Sequence, residues 1–309
     1  MITSSFTTPV LFLIFNRPET TAKVFEAIRK AKPSRLYIAA DGARELVVGE
    51  FEKCRRVREI ARNVDWQCEV KTLFREKNLG CKVAVSSAID WFFDHEEEGI
   101  ILEDDCLPNP SFFTFCNTLL ERYRTDVRVM HIGGTSYLPH RPFGEKNASY
   151  YFSRDPYVWG WASWRRAWQL YDVKMKKFPE FLSTNMLETY YDSKREVRFW
   201  RKEFEKVFSG GMDTWDYQWK FTVLRSSGLC VIPKVNLITN IGFGTEATHT
   251  KQSSDQRFSI PSEELTAIVH PKNLVIDTEA DAAIFESIHG GSIFKRVVNK
   301  LKKIVIEKI

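Results

Sequence analysis

Only six of the 309 residues are cysteine, and no two stand in a Cys-x-x-Cys pair. A structural zinc site and a disulfide framework are therefore both unsupported, and Cys54, Cys68, Cys81, Cys106, Cys116 and Cys230 read as reduced, mostly buried thiols. Long apolar runs are missing too. The first, residues 9–15, falls far short of the roughly 20 residues that span a bilayer, and no basic segment precedes it. Neither a signal peptide nor a membrane anchor is supported, and the expected location is the cytoplasm. Internal repeats and low-complexity linkers are also absent. Outside the last 18 residues there is no charge of one sign to exploit: the other 291 carry 39 basic and 39 acidic side chains. That balance, with no basic patch interleaved by aromatics, argues against nucleic acid as a partner.

What is present is apolar: 43% hydrophobic and 14% aromatic residues suffice for one large core or two abutting ones. Residues 292–309 stand apart, with six basic side chains against one acid. On a helical wheel Ile293, Phe294, Val297, Val298, Leu301, Ile304, Val305 and Ile309 share one side. Such a helix suits an anionic membrane surface and peripheral attachment on the cytoplasmic face; docking on its own core or on another subunit is the alternative.

The first half alternates β-rich runs with helical patterns. Strands are predicted over residues 10–15, 36–40, 68–74, 100–102 and 127–132, and helices over 20–31, 52–63, 82–93 and 111–123. A βαβ series of this kind makes an α/β fold with a mainly parallel sheet and helices on both faces, and ligands bind beyond the carboxyl ends of the strands. Polar loops follow each of the first four: Asn16-Arg17-Pro18, Asp41-Gly42, residues 75–80 with Asn78 and Gly80, and Glu103-Asp104-Asp105. From about residue 135 the pattern becomes Trp-rich and mixed, with a long charged helix expected around 187–208 and a Gly-rich loop at 242–244. The expected division is 1–135, the βαβ half; 136–250, the Trp-rich half; 251–291, an extension; and 292–309, the basic helix.

The chemistry is concentrated at residues 99–105, Gly-Ile-Ile-Leu-Glu-Asp-Asp, where a buried strand ends in three carboxylates. Three adjacent charges repel one another and lose solvation there, so a compensating cation is expected. Mg²⁺ or Mn²⁺ bound by one or two carboxylates completes its shell with water and phosphate oxygens, which suggests a nucleoside diphosphate ligand. An acidic turn capping the next helix near Pro108 is the competing interpretation. Asp41 is placed to accept from a base N–H, or to form an Asx turn; Arg17 is placed to lie against base or phosphate, or to form a surface ion pair. Asp216 lies among Trp215, Tyr217 and Trp219, rings that would desolvate a general base, with Asp213 expected as a helix N-cap. His249 is a candidate for capping a diphosphate, and Trp159 and Trp161 for stacking on a sugar face.

The run Leu102-Glu103-Asp104-Asp105 followed by Pro110-Ser111-Phe112-Phe113, residues 154–161 (Arg-Asp-Pro-Tyr-Val-Trp-Gly-Trp), the Trp215-Asp216 pair, and Ile232-Pro233 with Gly242-Phe243-Gly244 resemble N-acetylglucosaminyltransferase I and its bacterial homologues. The similarity extends in consistent order from about Val10 to His249. It implies an inverting, metal-dependent glycosyltransferase of the GT-A fold that takes a UDP-sugar donor and a glycan or lipid-linked glycan acceptor. It further implies Asp105 as the metal ligand, Glu103 and Asp104 facing the donor's sugar and ribose, Arg17 and Asp41 at the nucleotide, and Asp216 as the base. Asn78, Gly80, Lys82, Ser86, Trp161 and His249 complete the expected donor contacts. Two positions depart from the family: Tyr217 replaces a second acid, and Ser86 replaces a histidine. A nucleotidyltransferase that makes the sugar nucleotide would need the same acid-bound metal, but normally carries a glycine-rich loop where Asn16-Arg17-Pro18 stands. A non-catalytic carbohydrate-binding protein would have no use for the retained acids.

Overall fold

The computed structural model describes residues 6–242 and 260–290; His249 and the basic segment 292–309 lie outside them. The first half runs β1 (Val10–Ile14), α1 (Pro18–Ala31), β2 (Arg35–Ala40), α2 (Glu50–Arg62), β3 (Glu69–Phe74), α3 (Gly80–His95), β4 (Glu98–Glu103), β5 (Cys106–Pro108), α4 (Pro110–Tyr123) and β6 (Val129–Gly133). The chain continues with β7 (Tyr150–Ser153), β8 (Trp161–Trp164), α5 (Arg165–Trp168), α6 (Phe178–Ser183), α7 (Met186–Tyr190), α8 (Lys194–Phe208), α9 (Asp216–Arg225), β9 (Leu229–Pro233), β10 (Ile238–Asn240) and α10 (Thr278–His289). No helix among the described residues is long and apolar enough to cross a membrane.

Eight strands form one sheet in the order β3-β2-β1-β4-β8-β6-β9-β7, and β5 pairs with β10 in a small second one. The first four are mutually parallel, β8 is antiparallel to both its neighbours, β6 and β9 are parallel, and β7 is reversed. The expected α/β class with a mainly parallel sheet is what forms. Strands from both sides of residue 135 build it.

Period-two alternation divides the strand side chains between two cores. Val10, Phe12, Ile14, Leu36, Ile38, Ile100 and Leu102 pack under α1, α2 and α4, with Phe25, Val57 and Leu119. Leu11, Leu13, Tyr37, Ala39 and Ile101 pack on the opposite face with Ile89 and Phe92 of α3, Trp219 of α9 and Ile284 of α10. Pro18 opens α1, where its missing N–H costs nothing. Asn109 caps α4 by accepting from the Ser111 N–H at 3.0 Å, so the acidic run before it is not a helix cap. The single helix expected over 187–208 is two. Tyr191 is extended and ends α7, and Ser193 accepts from the Glu196 N–H to start α8.

Within the second core Trp161 is fully buried, its ring stacked on His131 and Trp215 and lying against Trp168 and Trp219. The imidazole of His131 is also fully buried: Trp219 Nε1–H donates to Nδ1 at 3.2 Å, which leaves Nε2–H to donate to the Tyr157 carbonyl at 3.1 Å. Burial pushes its pKa down to about 3, so the neutral ring is the folded form. A depressed basic group stabilises the fold above its unfolded pKa, near 6.5, and that stability is lost as pH falls toward 3, at about 1.4 kcal/mol per pH unit. Chemical unfolding from pH 7 to 4 is expected to show a loss of this size in the native chain relative to His131→Leu, a variant that is less stable at pH 7 because Trp219 Nε1 is left without an acceptor.

Candidate functional site

Sheet register brings the informative loops together. Ile14 faces Ala40, Ala40 faces Phe74, and Leu13 faces Glu103, so the loops after β1, β2, β3 and β4 open on one edge. With residues 213–216 from the second half they line a cavity of about 490 Å³. Arg17, Asp41, Asn78, Gly80, Glu103, Asp104, Asp105 and Asp216, all singled out from sequence, face it.

The acids divide their partners unequally. Asp104 Oδ2 accepts from the Phe15 N–H at 3.0 Å, and Asp105 Oδ2 pairs with Arg17 Nη1 at 2.5 Å. Burial, then the charges of Asp105, Asp104 and Asp216, hold the Glu103 carboxyl well above its ordinary range. Burial and Asp105 push Asp104 up to about 7. Arg17 is thus set against several crowded carboxyls, a donor set whose excess negative charge suits a divalent cation. Among the described residues no three His, Cys, Asp or Glu side chains are grouped to hold a metal by themselves. An ion here would take Asp105 and complete its shell from phosphate oxygens and water. Backbone closes the other side: a Cβ on Gly242 would sit 2.1 Å from Asp105 Oδ2 and 2.7 Å from Arg17 Nη1, so only glycine fits without displacing that pair.

Opposite the acids, the N-terminus of α3 is held by two carboxylates. Asp41 accepts from the N–H groups of Gly42, Leu79 and Gly80 and from Asn78 Nδ2, at 2.9–3.2 Å. Four protein donors thus engage it on the cavity wall, and the sequence's other reading, a carboxylate that organises its own turn, is the one these bonds fit. Asp213 accepts from the N–H groups of Cys81 at 3.0 Å and Lys82 at 3.1 Å. The expected N-cap of the helix that follows Asp213 does not form, since Trp215 holds that position; Asp213 serves instead the start of a helix 132 residues earlier in the chain. Gly80, at φ +78°, permits this approach, since a Cβ there would lie 2.8 Å from Asp213 Oδ2. Asp216 is the first residue of α9; the Thr214 hydroxyl donates to its carboxylate, Gln218 Nε2 donates to the Thr214 carbonyl at 2.7 Å, and the Tyr171 hydroxyl to that of Trp215 at 3.2 Å.

A second cavity, about 320 Å³, shares Val158, Trp159 and Asp216 with the first, so Asp216 is a wall common to both. Three expected donor contacts are placed elsewhere. Trp161 is core; Ser86 is buried and spends its hydroxyl on the Lys82 carbonyl at 2.7 Å; Lys82 offers Asp213 its backbone N–H, and neither Ser86 nor Lys82 lines the cavity. Two lining arginines were not anticipated. Arg44 is held by Glu50, which also accepts from Asn16 Nδ2, and Arg75 donates to the Ser87 hydroxyl at 2.8 Å. Position after β2 and β3, the signal that marked Asp41 and Asn78, would have marked these too.

No family model matches the sequence, and no curated protein matches it. Among solved structures the chain is similar to a UDP-glucose pyrophosphorylase complexed with UDP-glucose, at 12% identity over 53% of this chain and 70% of that one, with a TM-score of 0.29.

Removing the Asp213 carboxylate leaves two N–H groups of α3 without their acceptor. Asp213→Ala is expected to cost about 1 kcal/mol in chemical unfolding, and Asp213→Asn, which keeps one acceptor oxygen, less.

Proposed function

We propose that the chain is an inverting glycosyltransferase of the GT-A type, moving a sugar from a UDP-sugar donor to a hydroxyl of a glycan or lipid-linked glycan. One observation carries the reading: crowded carboxylates and a base candidate, Asp216, line one cavity at the strand ends, and Asp216 also lines a second, adjoining cavity. A donor in the first cavity and an acceptor in the second would then both lie within reach of one carboxylate, which positions the acceptor hydroxyl for attack.

In this reading Asp105 holds Mn²⁺ or Mg²⁺. When bound, the ion supplies charge neutralisation for the departing diphosphate. Arg17, Arg44 and Arg75, all on the cavity wall, add guanidinium groups suited to phosphate oxygens. Glu103, whose carboxyl burial and then the neighbouring charges hold above its ordinary range, faces the donor's sugar from the cavity wall. Asp41 acts by fixing residues 78–80, so the nucleotide meets a preset loop. Asp216 accepts the proton of the attacking hydroxyl, and the Thr214 hydroxyl fixes which way its carboxylate points.

A UDP-sugar that binds the folded state in the presence of manganese raises the melting temperature. Asp105→Ala is expected to abolish the manganese-dependent part of that shift. Asp216→Asn should retain the shift and lose about 10²- to 10⁴-fold in turnover. A full manganese-dependent shift in Asp105→Ala, or undiminished turnover in Asp216→Asn, would remove the respective residue from its role.

A further inference from the structure

The second cavity has a chemistry of its own, and its lining changes from end to end. Asp216 and Lys220 lie four residues apart on one face of α9. The Lys220 ammonium is buried against the Asp155 carboxylate and lies 3.8 Å from the centroid of the Trp200 ring. Tyr137, Tyr157, Trp159 and Tyr217 surround this polar wall. The facing wall belongs to α10, where Ile284 and Ile288 form an aliphatic strip beside the rings of Phe285 and His289, and Val158 adds a further branched side chain to the lining.

Aromatic rings and hydrogen-bonding groups together suit the apolar face and polar rim of a sugar. Branched aliphatic side chains offer a pyranose nothing to stack on or bond to; they favour alkyl groups, whose burial they reward by area. We infer that this cavity binds an amphiphilic glycoside, its sugar ring between α9 and the aromatic residues with one hydroxyl at Asp216, and its apolar aglycone along Ile284 and Ile288 of α10. The inference rests on the proposed transferase reading, because Asp216 links the two cavities. It specifies the acceptor as a sugar attached to an aliphatic chain, not a free or internal glycan residue.

The test needs neither donor nor metal, so its failure is separable from failure of the donor site. Octyl and methyl glycosides of glucose, galactose, mannose and N-acetylglucosamine, at concentrations below micelle formation, are titrated into the full chain while tryptophan fluorescence is followed; Trp159 and Trp200 line the cavity. For at least one sugar the octyl glycoside is expected to bind about tenfold or more tightly than the methyl, the effect of burying roughly two methylenes. Ile288→Asn, at a half-buried position that lines this cavity and not the first, should reduce octyl binding to parity with methyl and leave the UDP and manganese melting shift intact; the milder Ile288→Thr, expected to weaken the octyl preference, serves if that variant does not fold. Equal binding of octyl and methyl glycosides, an octyl preference untouched by both substitutions, octanol binding as well as octyl glycoside, or no binding anywhere in the panel would overturn the assignment.

Discussion

Electrostatic repulsion at the end of β4 is the constraint around which the site is organised. An apolar strand, buried on both faces, delivers Glu103, Asp104 and Asp105 to one sheet edge, and the fold gives them unequal partners: a backbone N–H for Asp104 and a guanidinium for Asp105. Glu103 has burial instead, and its neighbours' charges add to what burial begins. Crowding like charges is costly, and the sheet supplies the rigidity that maintains it. The interior strands also explain why the position holds: Leu13 beside Glu103 and Phe12 beside Leu102 lock the register, so the acids cannot slip along β1.

The two cores then take different tasks. Beneath the sheet, α1, α2 and α4 hold the strands whose ends form the cavity floor. Above it, the aromatic cluster of Trp161, Trp168, Trp215 and Trp219 fixes the turn that precedes α9, and so the place of Asp216 relative to the acids. The neutral imidazole of His131, with both ring nitrogens engaged, sits within that cluster as a polar pin whose geometry admits a single tautomer.

Much of the first half was legible because its signals are local. Period-two and 3.6-residue patterns place β1 to β4 and α1 to α4 within a few residues, and the rule of strand ends brings Arg17, Asn78, Gly80, Glu103, Asp104 and Asp105 to one cavity. What escaped depends on distance along the chain. Nothing in residues 157–168 says that β8 would run backwards between β4 and β6, since a short buried strand rich in tryptophan has no periodicity to read. Trp161 looked available to a sugar because burial is decided by partners such as His131 and Trp219, remote in sequence. Asp213 read as a local cap because its true partners, at Cys81 and Lys82, belong to another helix. Asp41 read equally as a recognition group or a turn because the four donors that engage it come mostly from the loop after β3.

The position of β8 governs how the molecule can be assembled. β4 and β6 are separated by β8, a strand made some 30 residues after β6, and the first turn of α3 receives its last acceptor from residue 213. During synthesis, the amino-terminal four strands can pair as they emerge, but their outer edge at β4 stays unpaired until residues 161–164 arrive. An edge left waiting in this way is adhesive toward other chains. Folding speed then depends on closing the long loop that brings β8 to β4, and the time that loop takes is the time for which the edge stands open.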